Sequence, residues 1–304
     1  MDGGPTAMRY DAWSETCDTL HAHTQVLGKL ATALAPAEPQ LQHTALRLTA
    51  RGWETRLLPA ADGSGGVVAA LDLHEHEAVL EHTDGRVERI ALTPDRSVGE
   101  VTRAVLAGAR ALAGAFDFDP TPQEVPWTVP LDADDEHARY DTDHVAAYLA
   151  AATRAALVLA AFRAPYRGRS TAVNAWWGSF DLAVDLFSGL PAEPPSDGFI
   201  MRNSMDAQQF AFGWWPGDHR YGRAAFYAYA HPAPETFPDH ELPLGGWNRE
   251  LGEYILDSED LRELPDQHAA ALDFGRALFH HACLVCGWDA GLAASAHGTP
   301  PPVR

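Results

Sequence analysis

Apolar residues recur every three to four positions at the start of this chain. Trp13, Cys17, Leu20, Leu27, Ala31 and Leu34 share one stripe, which predicts a helix over Ala12–Leu34, ended by Ala35-Pro36. The period then shortens towards two. Ala45–Thr49, a turn at Arg51-Gly52, Trp53–Leu58 and Val67–Leu73 read as strands, with a glycine-rich loop at Asp62–Gly66. Ala78–His82 and Arg86–Leu92 flank Thr83-Asp84-Gly85 and predict a hairpin with a primed turn at Asp84-Gly85. Ser97–Gly114 reads as a helix, with Ser97 as N-cap and Glu100 completing a capping box.

A stretch rich in Pro and Asp follows, with Pro120, Pro122, Pro126 and Pro130, and reads as a connection. Beyond it the order repeats. Asp141 or Thr142 caps a helix through Phe162, ended by Ala164-Pro165. Ala175–Phe187, Phe210–Trp215, Ala224–Tyr229 and Glu253–Leu256 read as strands, and Asp266–Gly287 as a closing helix. The expected organisation is a first α+β repeat over 1–115, a connection over 116–140, a second repeat over 141–294 and a frayed tail over 295–304. The fold class is α+β: a tandem pseudo-repeat of helix–antiparallel sheet–helix units with a cleft between the halves. Counting back from each Ala-Pro, the positions of His21, Gln25 and Lys29 become Ala150, Arg154 and Val158. The polar stripe is therefore confined to the first copy.

Charge narrows the partners. Forty-two acids against 22 bases give a net charge of −20 over 304 residues. That excludes the electrostatic footprint of a nucleic-acid binder and a polybasic membrane patch. Three cysteines, Cys17, Cys283 and Cys286, make no disulfide framework. Met1–Tyr10 has no basic region followed by an apolar run, so no signal peptide is read. Val145–Phe162 is apolar but carries Arg154 at its middle and reads as a buried helix, not a membrane span. A reducing, cytoplasmic setting is expected.

The candidate chemistry starts from one residue. Lys29 is the only lysine among 22 cationic side chains. It follows His21 and Gln25 at i, i+4, i+8, so the three stack along one helix face. An amine can lose its proton where a guanidinium cannot, so Lys29 and His21 are the catalytic candidates and Gln25 a substrate-binding one. The same spacing also fits a lysine stem lying along a sheet. In the expected strand over Ala175–Phe187, alternation sets Ser179, Asp181, Ala183 and Asp185 on one face, joined by Trp177. A mid-strand acid needs a partner, and Arg163 or Arg202 would serve as well as a ligand. Tyr227 and Tyr229 share a face of their strand, and Glu253 lies in a Leu-Gly-Glu-Tyr run. Trp177, Asp181, Tyr227, Tyr229 and Glu253 complete the substrate-binding candidates.

His280, His281, Cys283 and Cys286 offer metal-ligand types, as do His74, His76 and His82. The first group lacks a second ligand pair at zinc spacing, and the second sits at a tight strand connection. No metal and no cofactor is expected. Phosphate-cradling and dinucleotide glycine motifs are absent, and Gly178-Ser179 is followed by Phe-Asp, which excludes the hydrolase nucleophile elbow.

Several stretches resemble one family. They are Trp13–Lys29, Thr49–Thr55, Leu71–Arg86, Trp177–Gly189, Gly213–Gly217, Phe226–Pro234 and Leu251–Leu256, with Trp-Gly-Ser-Phe-Asp-Leu-Ala-Val the most specific run. Over nearly its whole length the chain resembles the bacterial domain of unknown function 5996 family. The resemblance implies a T-L-H-x-x-T-Q-x-x-G-K pattern in the first helix, met here at His21, Gln25 and Lys29, and no activity. Two departures stand out. An N-H-W-W-like segment is here Pro39-Gln40-Leu41-Gln42-His43, and an S-H-E-like one ahead of Trp-Pro-Gly is Asp206-Ala207-Gln208. A His-Glu pair at that place is thus missing, which fits a divergent substrate or a loss of activity.

The reading that follows is a small-molecule enzyme using generic acid–base chemistry, or a binding protein derived from one, with a small molecule as its partner. The alternative is a non-catalytic scaffold that binds partners through a Trp-rich surface of Trp176, Trp177, Trp214 and Trp215. The first predicts polar groups converging on a concave site. The second predicts those indoles on an exposed patch.

Overall fold

A computed structural model describes residues 8–295. All but Ser295 of the expected frayed tail lies outside the described residues. The fold is α+β, with two antiparallel sheets and six α-helices among the described residues. The chain divides into two compact units. The first comprises Tyr10–Ala151 and Asn174–Asp181; of the described residues, the second takes Met8, Arg9, Ala152–Val173 and Leu182–Ser295. One division thus falls inside a helix, and residues 116–140 belong to the first unit.

In the first unit, α1 (Tyr10–Leu34) leads into β1 (Arg47–Thr49), β2 (Gly52–Glu54), β3 (Leu58–Pro59), β4 (Gly66–Asp72), β5 (Glu77–His82) and β6 (Val87–Ala91), then α2 (Val98–Ala113). The sheet runs β1-β2-β4-β5-β6, with β3 paired to β4. α1 packs on β3 and β4, and α2 beside it covers β4, β5 and β6. The expected box at the start of α2 is present: Ser97 Oγ accepts from the Glu100 amide, and the Glu100 carboxylate accepts from the Ser97 amide. The β5–β6 hairpin forms, but not through a primed turn. Only Gly85 has positive φ, at 94°. The Gly85 amide donates to His82 O and the His82 amide to Arg86 O, which is the three-residue loop with a left-handed glycine.

α1 departs from the one-sided stripe. Every residue from Thr19 to Ala31 is buried, so the polar members of the helix are enclosed as fully as its leucines. Such a helix needs internal partners for its polar groups. Thr19 Oγ1 donates to Glu15 O and Thr24 Oγ1 to His21 O. His23 has no partner at Nδ1.

α3 (Thr142–Arg163) is long and apolar enough, by length and composition, to cross a membrane. Its buried positions, Val145, Tyr148, Leu149, Ala152, Ala155, Val158, Leu159 and Phe162, nonetheless recur at helical spacing. Arg154 lies on the exposed side.

The expected single strand over Ala175–Phe187 is two. β7 (Asn174–Trp176) and β8 (Asp181–Pro191) are separated by a turn over Trp177–Phe180. Phe180 takes a left-handed φ of 58°. That conformation costs a non-glycine residue about 1–2 kcal/mol, and nothing in the residue type announces it.

The second unit holds α4 (Phe199–Ser204), β9 (Ala207–Trp215), β10 (Ala225–His231), β11 (Gly246–Asn248), β12 (Glu253–Asp257), α5 (Gln267–Val285) and α6 (Ala290–Ser295). Its strands run β11-β12-β10-β9-β8. α5 lies on β9 and β10, where Phe162, Phe210 and Phe212 meet Phe274 and Phe279. The strands of each sheet lie in the chain between two long helices, with α4 inserted between β8 and β9.

Candidate functional site

α1 presents His21, Gln25 and Lys29 along one face, and the Pro-rich segment lies across them as a strap. Asp119 meets Lys29, Gln123 meets Gln25 and Trp127 meets His21. Strap residues four apart thus meet helix residues four apart, in antiparallel sense.

The middle pair is the tightest. Gln25 Nε2 donates to Gln123 O at 2.9 Å, and the Gln123 amide donates to Gln25 Oε1 at 2.9 Å. One side-chain amide therefore satisfies both polar groups of a strap residue, as a neighbouring strand would. Gln25 itself is fully buried.

His21 holds the turn after β7. Its Nε2 lies 2.9 Å from Trp177 O and 3.0 Å from Gly178 O. Carbonyls only accept, so Nε2 carries the proton. The contact with Gln25 Nε2 at 3.3 Å then sets donor against donor and holds nothing. The imidazole stacks on Phe180 at 4.9 Å between centroids, and Phe180 stacks in turn on Trp53 and Tyr148. Trp53 Nε1 donates to Tyr148 Oη at 2.9 Å. This aromatic stack over-determines the left-handed Phe180.

Lys29 is 5% exposed. Its Nζ lies 5.6 Å from the centroid of the Trp177 ring and 3.7 Å from Asp119 Oδ2, beyond hydrogen-bonding length. Burial lowers the amine from its ordinary pKa, and the Asp119 charge opposes that shift. Asp119 is two-thirds exposed. Hydrogen bonds from Thr121 and then the Lys29 charge hold its carboxyl below the usual range.

Trp177 joins the two ends of the stripe. Its carbonyl serves His21 while its ring lies beneath Lys29, two helical turns or about 12 Å further along α1. Its Nε1 donates to Thr44 O at 3.1 Å. Trp177 therefore belongs to the turn, not to the strand face that alternation assigns it. Asp181 opens β8 instead of sitting mid-strand, and accepts from Ser179 Oγ.

Tyr227, Tyr229 and Glu253 lie in the second unit. The two phenol rings are parallel, 6.3 Å apart, on the partly exposed face of β10. Tyr227 lies across Gly213, where a Cβ would come within 2.3 Å of its ring. Glu253 is the half-buried first residue of β12. Trp177, Trp214 and Trp215 are buried and Trp176 half-buried, so these four indoles form no exposed patch.

The strap also brings in residues that sequence reasoning passed over. Trp127 lies between two imidazoles, 5.2 Å from His21 and 4.6 Å from His137. His137 Nδ1 donates to Asp134 Oδ2 at 2.7 Å. This bond raises the His137 pKa against the effect of burial, with Asp18 adding to the rise. An Asp-x-x-His run just before a helix cap was the available signal. A cleft of about 530 Å³ opens at the start of α1, lined by Asp11, Trp13, Glu15, Arg139 and Asp141 among others, and by none of the candidate residues.

No group of three or more His, Cys, Asp or Glu is arranged to hold a metal among the described residues. His281 bonds Phe237 O and stacks on His240, while Cys286 points at Pro232 O. Burial pushes the Cys283 thiol up to about 12, so it stays protonated.

Residues 5–295 match the model of a family described as a family of unknown function, DUF5996. The chain belongs to the DUF5996 family. No curated protein and no solved structure matches it. In this DUF5996 chain the T-Q-x-x-G-K positions are the ones that meet the strap and the Trp177 turn.

Proposed function

We propose that this protein is a small-molecule enzyme, or a binding protein derived from one, that works by acid–base chemistry at the Lys29 amine in a cytoplasmic setting. The observation that carries the reading is the state of that amine. It is 5% exposed, rests on an indole and has no hydrogen-bond acceptor nearer than the 3.7 Å carboxylate. A lysine kept for structure holds its head in water or in a close ion pair. An enclosed amine whose carboxylate partner stands off at 3.7 Å is incompletely satisfied, and a ligand would supply a closer partner. Lys29 would be the base or nucleophile. His21 would fix the Trp177 turn through Nε2. Gln25 would hold the strap, and Trp177 would form the apolar wall. Tyr227, Tyr229 and Glu253 belong to the second unit and take no part in this reading.

The test is a thermal-shift screen of small polar metabolites on the wild type and on Lys29→Arg. The expected result is a stabilising compound whose effect is lost in Lys29→Arg, while the unliganded melting temperatures stay close. A compound that stabilises both proteins equally would sink the reading.

A further inference from the structure

Resting on that reading, we propose that Lys29 forms a Schiff base with a small aldehyde or ketone, and that Asp119 moves the protons of the condensation. Imine formation needs a neutral amine, an apolar wall that disfavours the ammonium, a carboxylate in reach of the carbonyl oxygen, and little water to hydrolyse the product. The surroundings of Nζ supply the wall, the carboxylate and a shift towards the neutral amine. Burial favours the neutral amine. The Trp177 ring is the wall. Asp119 Oδ2 stands at 3.7 Å from Nζ, close enough to exchange a proton with a group bonded to that nitrogen. The strap, fastened by Gln25 and Gln123, covers the face of α1 from which Lys29 projects.

The chemistry balances without an oxidant, reductant or cofactor. The Nζ lone pair adds to the carbonyl carbon, a C–N bond forms, and the C=O π pair moves to oxygen. Nζ gives one proton to Asp119, which passes it to the alkoxide to complete the carbinolamine. The remaining N–H proton then goes by the same route to the carbinolamine hydroxyl. The C–O bond breaks, water leaves, and the nitrogen lone pair completes the C=N bond. The arginines, 21 of the 22 basic side chains of the chain, are barred from this reaction because a guanidinium stays protonated.

Because the chain has a single lysine, reductive trapping reads one side chain against one internal reference, the terminal amine. The full-length protein is incubated with glycolaldehyde and cyanoborohydride, and adducts are located by peptide mapping. An ordinary lysine reacts more slowly than an α-amine at pH 7, because its pKa is higher by about 2.5 units. The proposal expects the reverse, Lys29 trapped at least about tenfold faster than the terminal amine. Asp119→Asn, with its fold checked by circular dichroism, should slow Lys29 about tenfold and leave the terminal amine unchanged. Trapping of Lys29 no faster than the terminal amine overturns the proposal, and so does an unchanged rate in Asp119→Asn. If a compound binds in a Lys29-dependent way but no adduct forms, the Schiff base fails and the acid–base reading stands. If neither is seen, both fail.

Discussion

The indole of Trp177 occupies the space in which residue 28 would carry a side chain. A Cβ on Gly28 would stand 2.0 Å from Trp177 Cγ, so the glycine lets a turn residue lie flat against the helix one position before Lys29. That contact is why the Lys29 amine has an aromatic floor.

Gly28→Ala should therefore destabilise the protein. Alanine favours a helix by about 1 kcal/mol over glycine. Overpacking commonly costs about 1–3 kcal/mol, and the displaced ring also loses its bond to Thr44 O. The expected net loss is about 2 kcal/mol, measured by urea unfolding. A variant as stable as the wild type would mean that the indole is not held there.

Gln25→Leu should loosen the strap and little else. It leaves the Gln123 amide and carbonyl without their partner, a loss of about 1–3 kcal/mol per buried group. Hydrogen exchange should quicken in peptides covering 117–130 and stay unchanged in the second unit's β9 and β10. Uniformly faster exchange across the chain would contradict the role of a local fastening.

His23 makes stability depend on acid. It is 2% exposed with Nδ1 unpartnered. Burial lowers its pKa from 6.5 to about 4; the Asp134 charge opposes the shift and the Arg96 charge adds to it. The unfolded chain thus takes up a proton that the folded one refuses. The contribution is whole above pH 6.5, falls as pH drops towards 4 and levels off below that. Its size is about 3 kcal/mol. His137 shifts the other way, so its contribution is whole below the ordinary histidine value and lost as pH rises through its raised one. His23→Leu should flatten the fall between pH 6.5 and 4 in chemical unfolding. An undiminished fall would assign it to other groups.

Local patterns were legible where a residue acts on its own backbone. Ser97 and Glu100 start α2 as their spacing requires. Ala35-Pro36 stops α1, and glycine closes the β5–β6 hairpin. The stripe of His21, Gln25 and Lys29 was legible too, because i, i+4 spacing on a helix leaves one arrangement.

What meets the stripe was not legible. A Pro-rich run reads as a linker because proline removes donors and forbids regular structure, yet here Gln123 and Trp127 find partners on α1, 98 and 106 positions earlier in the chain. Alternation carried the 175–187 strand straight through Trp177–Phe180, because a left-handed phenylalanine is selected by the rings stacked on it and not by its own preference. By itself the sequence determined the α+β class, the four long helices to within a few residues and which face carries the single amine, since these follow from periodicity and capping; the short α4 and α6 were not read. Only the tertiary structure decided that this amine is enclosed, loosely paired and set on Trp177, because burial and desolvation depend on groups brought from 90 to 148 residues away along the chain.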